Sequence, residues 1–339
     1  MIQESIKKLV EKQNLTQQEA EQAMNEIMEG KATDAQIAAF LVGLRIKGET
    51  IDEITACAKI MREKANKINP KANFLVDTCG TGGDGSSTFN ISTASAFVAA
   101  GAGISVAKHG NRSVSSKSGS ADVLQALGVN INLNPKDVEK CIEETGIGFM
   151  FAPLFHPAMK YAMNARKQLG IRTIFNILGP MTNPANAKSQ IIGAFSPALI
   201  ADIASAMKNL GSRHVLVVNG DGLDEISLSS KTKVCELNNG RIEIYDLNPE
   251  DYGIELRPLN DVLGGTPEEN AKIIIDILSG EKGPERDIVL LNSAAAIMAT
   301  DKVSGYQDGL EIAKQSIDSG SALKKLEALR KFTNNFPAQ

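Results

Sequence analysis

Apolar and polar positions follow two different periods along this chain, and the change comes near residue 70. Before it, apolar residues recur at helical spacing and polar signals mark where each run begins. Thr16-x-x-Glu19, Thr33-x-x-Gln36 and Thr50-x-x-Glu53 are three capping boxes. In each, the threonine hydroxyl accepts from a first-turn amide while the N3 side chain reaches back to the threonine amide. They predict helices ending near Gly30, before Gly48 and near Asn66, with Pro70 closing the section. The middle run, 35–46, is apolar nearly all round, which predicts burial on several sides. A small helical unit cannot bury that much alone, so this helix is expected to dock on the rest of the chain or form a subunit interface.

From residue 73 short apolar runs alternate with longer amphipathic ones. Strands are expected over 74–77, 105–108, 129–133, 148–151, 190–195, 215–219 and 288–291. Helices are expected over 92–100, 121–127, 135–144, 157–169, 197–210 and 269–278. Such alternation implies an α/β domain with a mostly parallel central sheet. Runs 233–237 and 241–245 flank Asn238-Asn239-Gly240 and read as a β-hairpin. The stretch 293–332 reads as helix again. The Pro/Asn-rich segment 176–186 is the best candidate for a crossing between domains. The fold class expected is α/β, with a small all-helical N-terminal domain and a larger α/β domain.

Composition narrows the function classes. At 339 residues the chain has room for two domains or one large one. Its 42% hydrophobic and 22% charged content is that of a soluble globular protein. A net charge of −4 weighs against a general nucleic-acid binder. No apolar run approaches a membrane span, and the first residues lack the basic-then-apolar form of a signal peptide. Cys57, Cys79, Cys141 and Cys235 form no metal pattern and are expected to be buried, reduced thiols of a cytoplasmic protein.

The densest chemistry lies at the end of the first strand, in Gly80-Thr81-Gly82-Gly83-Asp84-Gly85-Ser86-Ser87. Strand, glycine loop and helix form the arrangement that cradles phosphate. Glycines let the backbone approach an anion, and successive N–H groups with the helix N-terminus supply partial positive charge. The loop is not a Walker loop, because no Gly-Lys-Ser/Thr follows. It does contain Gly80-x-Gly82-x-x-Gly85, but the acidic residue a dinucleotide fingerprint wants about 20 residues on is absent; Ala100 stands there.

The second strand end reads Lys108-His109-Gly110-Asn111-Arg112-Ser113-Val114-Ser115-Ser116-Lys117-Ser118-Gly119-Ser120. Ligands of parallel sheets bind beyond the carboxyl ends of strands, and the first two such ends, the glycine loop and this segment, are both built to bind anions. A phosphate-rich ligand calls for Mg²⁺ and hard oxygen donors. Asp224-Glu225, after the strand 215–219 and the turn Gly220-Asp221-Gly222, supplies two carboxylates at another strand end. His156, before Pro157, reads as a helix-start residue and His214 as structural. With no Gly-x-Ser-x-Gly elbow, covalent nucleophilic catalysis has little support. Arg166, in the helix beside the crossing segment, could clamp a carboxylate with its planar fork.

Together these motifs resemble the anthranilate phosphoribosyltransferase family. Gly80-Thr81-Gly82-Gly83-Asp84, Asn90-Ile91-Ser92-Thr93, Lys108-His109-Gly110-Asn111-Arg112, Gly119-Ser120-Ala121-Asp122 and Asp224-Glu225 carry the likeness. His156-Pro157-Ala158-Met159, Arg172-Thr173-Ile174-Phe175-Asn176 and Gly179-Pro180-Met181-Thr182-Asn183-Pro184 extend it over most of the chain. The resemblance implies a nucleoside phosphorylase/phosphoribosyltransferase-like architecture. Its helical domain would be 1–70 with 156–188, and its α/β domain 71–155 with 189–339. It implies that anthranilate's amine displaces pyrophosphate from phosphoribosyl pyrophosphate (PRPP) in tryptophan biosynthesis, with Mg²⁺, in a cytoplasmic homodimer packed through the helical domains. Gly80, Gly83, Asp84, Thr88, Asn90, Ile91, Ser92, Thr93, Lys108, His109, Gly110, Asn111, Arg112, Ser113, Val114, Ser115, Ser116 and Ser120 would bind PRPP. Ser92, Asp224 and Glu225 would hold Mg²⁺. Gly80, Asn111 and Arg166 would contact anthranilate, Arg166 meeting its carboxylate. No residue is expected to act as a general acid or base, because the amine is already a nucleophile.

Two other readings stay open on the sequence. Pyrimidine nucleoside phosphorylases have a similar architecture and glycine loop; Asp224-Glu225 and the Lys108 to Arg112 run favour the transferase. Some relatives of the fold bind nucleic acid instead, against which the net charge and the carboxylate pair weigh.

Overall fold

A computed structural model describes residues 1–113 and 117–336. The three capping boxes form as expected and open α2 (Gln17–Met28), α3 (Asp34–Lys47) and α4 (Ile51–Lys64), after a first helix α1 (Ile2–Val10). In each box the threonine accepts from the N3 amide and the N3 side chain accepts from the threonine amide.

The chain then builds β1 (Leu75–Gly80), α5 (Ile91–Gly101), β2 (Ser105–Gly110), α6 (Ser120–Ala126), α7 (Pro135–Thr145) and β3 (Ile147–Phe151). It leaves the sheet through the short α8 (Ala152–Phe155), α9 (Lys160–Leu169) and α10 (Phe175–Met181). It returns as β4 (Ser189–Gly193), α11 (Ile200–Asn209) and β5 (His214–Asn219). The hairpin β6 (Thr232–Asn238) and β7 (Arg241–Leu247) turns at Asn239-Gly240, both at positive φ. Four helices close the fold: α12 (Pro267–Leu278), α13 (Pro284–Met298), α14 (Tyr306–Asp318) and α15 (Ser321–Thr333).

The strands form one sheet in the order β3-β2-β1-β4-β5-β6-β7, parallel through β5 and antiparallel at the hairpin. The chain runs outward from β1 to β3, then restarts on the other side of β1 with β4. That reversal opens a crevice at the carboxyl ends of β1 and β4. Side chains alternate across the sheet. Ile191 and Leu216 face a core shared with α5 and α12 to α15, while Ile192, Val215 and Val217 face a second core shared with α1 to α4 and α9 to α11.

Two expected strands are not strands. Residues 129–133 are irregular, although Val129, Ile131 and Leu133 are buried alternately as a strand would bury them. The edge of this segment is taken by the C-terminal helix: Asn130 N–H donates to Thr333 Oγ1 at 3.2 Å, and Asn130 Nδ2 to the Thr333 and Phe336 carbonyls. Residues 288–291 lie inside α13, where 288–298 are all buried. A helix buried on every side shows no 3.6-residue period, so its first apolar turn cannot be told from a buried strand.

Helix α3 is buried less completely than expected. Ile37, Phe40, Leu41 and Leu44 pack against neighbours that include α1 and α9, but Ala39 is exposed and Ile46 is 70% exposed, with Val10 at 75%.

Candidate active site

The crevice is built on four strand ends that finish in small or polar residues: Gly80, Gly110, Gly193 and Asn219. After Gly80 the backbone enters the left-handed region at Gly82, Gly83 and Gly85, with φ of +67°, +72° and +79°. Only glycine takes that course three times in four residues without strain. The base of the loop is tied down. Thr81 N–H donates to the Gly193 carbonyl at 2.8 Å, and Phe195 N–H to Thr81 Oγ1 at 3.0 Å. Gly82 N–H donates to Asp224 Oδ2 at 2.7 Å, and Ser86 N–H to Asp84 Oδ1 at 3.1 Å. Among the described residues no acceptor meets the N–H groups of Gly83, Asp84 and Gly85. Unpaired successive amides at the mouth of a crevice are an anion-binding nest.

Three carboxylates stand against this nest. Asp224 N–H donates to Asp84 Oδ2 at 3.4 Å, and Ser92 N–H to Glu225 Oε1 at 3.1 Å. Glu225 therefore sits on the N-terminus of α5, where the helix dipole favours negative charge. Burial, and then the charge of Asp84, raises the Asp224 carboxyl above its ordinary range. Burial, and then Asp224, does the same to Glu225. The nearest compensation is Lys108, which pulls Glu225 down. Among the described residues no three carboxylates, imidazoles or thiols are arranged to hold a metal by themselves; Asp224 and Glu225 instead fit a cation of the Mg²⁺ class that takes one or two carboxylates and completes its shell with water and substrate phosphate.

Lys108 itself is buried beneath the loop. Its Nζ donates to the Thr78 carbonyl at 2.5 Å and lies 3.4 Å from both Thr78 Oγ1 and Ser92 Oγ. Beside it Asp77 is buried, and burial pushes its carboxyl up to about 6 against the pull of Lys108. Asp77 accepts from His109 N–H at 3.1 Å and from Asn183 Nδ2 at 2.7 Å, joining β1 to the end of β2 and to the segment after α10.

The remaining candidates divide by where their side chains go. Asn90 is locked by Ser118 and Asn270 at 3.0 to 3.1 Å. Thr88 forms a bridge with Leu263. The side chains of Ile91 and Thr93 turn into the core, and the His109 ring is buried 5.0 Å from that of His156. Burial lowers both imidazoles, His156 to about 4, so neither carries charge near neutrality. Gly110 lies against Ser120 and Phe149, where a Cβ would come within 2.1 Å of Ser120 Oγ. The Asn111 carbonyl accepts from Ser120 Oγ and Ala121 N–H. Arg112 pairs with Asp122 at 2.7 Å, and Asp122 also accepts from Ser113 N–H and Gly119 N–H. Val114, Ser115 and Ser116 lie outside the described residues. Arg166 lies over the Phe175 ring at 5.1 Å, with no acidic side chain paired to it among the described residues. Burial lowers its pKa.

Comparison with known proteins decides the family. Residues 72–323 match the glycosyl transferase family a/b domain, and residues 3–65 its helical bundle domain. The anthranilate phosphoribosyltransferase of Acetivibrio thermocellus is 58% identical over 337 residues, 99% of this chain and 98% of that protein. This chain belongs to the anthranilate phosphoribosyltransferase family. It is thus a pentosyltransferase enzyme. The family's crystal structure from Thermus thermophilus superposes with a TM-score of 0.93 at 42% identity, covering 97% of this chain and 99% of that one. The Saccharomyces cerevisiae enzyme in complex with PRPP and Mg superposes with a TM-score of 0.90 at 29% identity, covering 99% and 98%.

Within this family fold, several residues that shape the crevice carry no obvious chemical signal in the sequence. Gly193 is one: a Cβ there would stand 1.6 Å from the Asp224 carbonyl oxygen. Asn219 is another; it donates to the Ala194 carbonyl at 2.7 Å and accepts from Gly222 N–H, shaping the turn that carries Asp224. Asp77, Asp122 and Asn183 hold backbone groups; Asp122 and Asn183 lay in runs that carry the family likeness, whereas Asp77 could have been noticed only as a polar residue within an apolar run. Arg172, between α9 and α10, donates to the Gly83 carbonyl. Its place in the run Arg172 to Asn176 was the available signal.

Proposed function

We propose that this enzyme transfers the phosphoribosyl group of PRPP to the amine of anthranilate, releasing pyrophosphate and forming N-phosphoribosylanthranilate for tryptophan biosynthesis. The observation that carries the reading is the nest of free amides at Gly83 to Gly85 beside the carboxylates of Asp84, Asp224 and Glu225. A polyphosphate needs the first, and its counter-cation needs the second. The yeast relative bound to PRPP and Mg, and the same enzyme bound to 4-fluoroanthranilate, support both substrate classes.

Ser92, Asp224 and Glu225 would hold Mg²⁺, with Asp84 adding charge beside them. The ion, when bound, neutralises charge developing on the leaving pyrophosphate. The loop amides donate to the same oxygens without reorganising, since Thr81 and Gly82 are already fastened to β4 and Asp224. The segment from Lys108 to Ser116, with Ser120, Thr88 and Asn90 to Thr93, completes the PRPP side. Lys108 acts in this conformation as a buried counter-charge beneath the loop. On the acceptor side Arg166 meets the anthranilate carboxylate, with Gly80 and Asn111 against the ring. The amine attacks unaided, so the protein's task is alignment and charge stabilisation, without a covalent intermediate.

The helical domain comprises 1–70 with 156–188, and the α/β domain 71–155 with 189–339. α9 packs on α2 and α3, which supports that division. Exposed Val10 and Ile46 mark the helical face through which two copies would pair. The four unpaired thiols suit a reducing, cytoplasmic setting. The decay of anthranilate fluorescence on adding PRPP, with and without Mg²⁺, tests the reaction. Decay that requires enzyme, both substrates and Mg²⁺ is expected; its absence with folded protein would overturn the proposal.

A further inference from the structure

The glycine loop is held from a side that its own sequence does not suggest. Arg172 lies in the irregular segment between α9 and α10, far along the chain from the loop. Its guanidinium carbon lies over the Phe195 ring, 4.5 Å from the centroid, and its Nη2 donates to the carbonyl of Gly83. Phe195 is in turn fastened to the loop, because its N–H donates to Thr81 Oγ1 at 3.0 Å. Thr81, Phe195, Arg172 and Gly83 thus close a ring of contacts around one limb of the loop. Among the described residues no carboxylate pairs with Arg172. Its charge is directed at a backbone carbonyl.

We propose that Arg172 is a positioning residue for the PRPP site, setting the direction of the Gly83–Asp84 peptide. Gly83 sits at φ +72°, in a region that glycine enters and leaves at little cost, so this peptide has no conformational preference strong enough to hold it. In a trans peptide the C=O and the following N–H point in opposite directions. A hydrogen bond that draws the Gly83 oxygen towards Arg172 therefore turns the Asp84 N–H the other way, where no acceptor meets it among the described residues and an anion could. Without it, the carbonyl is free to turn inward and present a negative dipole to a phosphate. The bond is charge-assisted, and the cation–π contact with Phe195 restrains the guanidinium beside it. A planar fork with several donors can keep the ring contact and the carbonyl bond together, which separates arginine from lysine.

The inference rests on the PRPP reading above, and the test separates the two. Wild-type turnover with PRPP, anthranilate and Mg²⁺ tests the reaction. Arg172→Ala, Arg172→Lys and Phe195→Leu, compared with wild type in the same assay, test the positioning role. Arg172 is exposed and Phe195 half-buried, so these chains are expected to fold, with thermal melting as the control. Arg172→Ala should raise the KM for PRPP by about tenfold, the loss expected for one charge-assisted bond. The KM for anthranilate should stay within about a factor of two. Arg172→Lys should recover little of the loss, and Phe195→Leu should raise the PRPP KM by a smaller factor in the same direction. Full recovery by lysine would show that charge alone matters and overturn the proposal. So would an unchanged PRPP KM in Arg172→Ala, or equal rises in both KM values.

Discussion

Gly193→Ala tests the geometry of the carboxylate pair without touching any side chain proposed to bind a ligand. Gly193 ends β4 beside β1, and the backbone of Asp224 lies directly on it. A Cβ at 193 would meet the Asp224 carbonyl oxygen at 1.6 Å and its carbonyl carbon at 2.4 Å. Real Cβ contacts do not fall below 3.0 Å, so the 224–225 backbone must retreat by about 1.4 Å. The neighbour is backbone, with no flexible tip to swing aside. Moving Asp224 also strains its bond to Gly82 N–H and the bond of Glu225 to Ser92 N–H. A misplacement of about 1 Å at a reacting centre costs on the order of a hundredfold in rate, or about 2.7 kcal/mol of barrier. We expect Gly193→Ala to lower kcat/KM by about that factor and to raise the Mg²⁺ needed for half-maximal rate. The assay is anthranilate fluorescence decay across a Mg²⁺ titration, with melting temperature as the folding control. Gly305→Ala is the matched control, because a Cβ there meets nothing within 4 Å and its φ is −145°. A folded Gly193→Ala enzyme with wild-type rate and Mg²⁺ dependence would refute the reasoning.

Three further outcomes are expected. Asp224→Asn keeps an oxygen for Gly82 N–H but removes the charge, so turnover should fall and the Mg²⁺ requirement rise by at least about tenfold; wild-type Mg²⁺ dependence would take Asp224 out of the site. Arg166→Ala should raise the KM for anthranilate far more than that for PRPP, by roughly 1.5–3 kcal/mol of lost charge-assisted bonding; equal effects on both would mean that Arg166 is not the carboxylate clamp. His214→Gln tests a structural cluster at the other end of β5, where His214 lies 2.8 Å from Glu236 and 2.6 Å from Asp301. Burial alone would lower this imidazole, but its bonds to Glu236 and Asp301 outweigh burial and raise it. Its stability contribution is therefore complete below the unfolded value of about 6.5 and is lost as pH rises through the raised folded value. The urea midpoint of His214→Gln should fall further below wild type at about pH 6 than at about pH 9; a gap independent of pH would contradict the assignment.

Much of the fold was legible because its signals are local. The capping boxes at Thr16, Thr33 and Thr50 each involve residues three apart, and all three form. The hairpin turn at Asn239-Gly240 needs positive φ at two adjacent positions and has residues that tolerate it. The two misassigned strands failed for opposite reasons. At 129–133 the alternation of burial was right, but the backbone found its partner in a helix end about two hundred residues away. At 288–291 burial on all sides erased the period that separates helix from strand.

The sequence by itself marked the glycine loop, the Lys108 to Ser120 segment and the Asp224-Glu225 pair as candidates, because phosphate binding demands particular residue types in particular local order. It also determined that these lie at strand ends, since each follows a short apolar run. Only the tertiary structure decided how they meet. Gly82 bonds to Asp224 and Ser92 to Glu225 across more than a hundred residues, and no local pattern records which strand end adjoins which. The order β3-β2-β1-β4-β5 makes them neighbours. Gly193 matters because it lacks a side chain where another backbone passes, and Arg172 because it reaches a carbonyl of a distant loop. Close approach and backbone hydrogen bonding are properties of pairs of segments, and a single run of residues does not specify its partner.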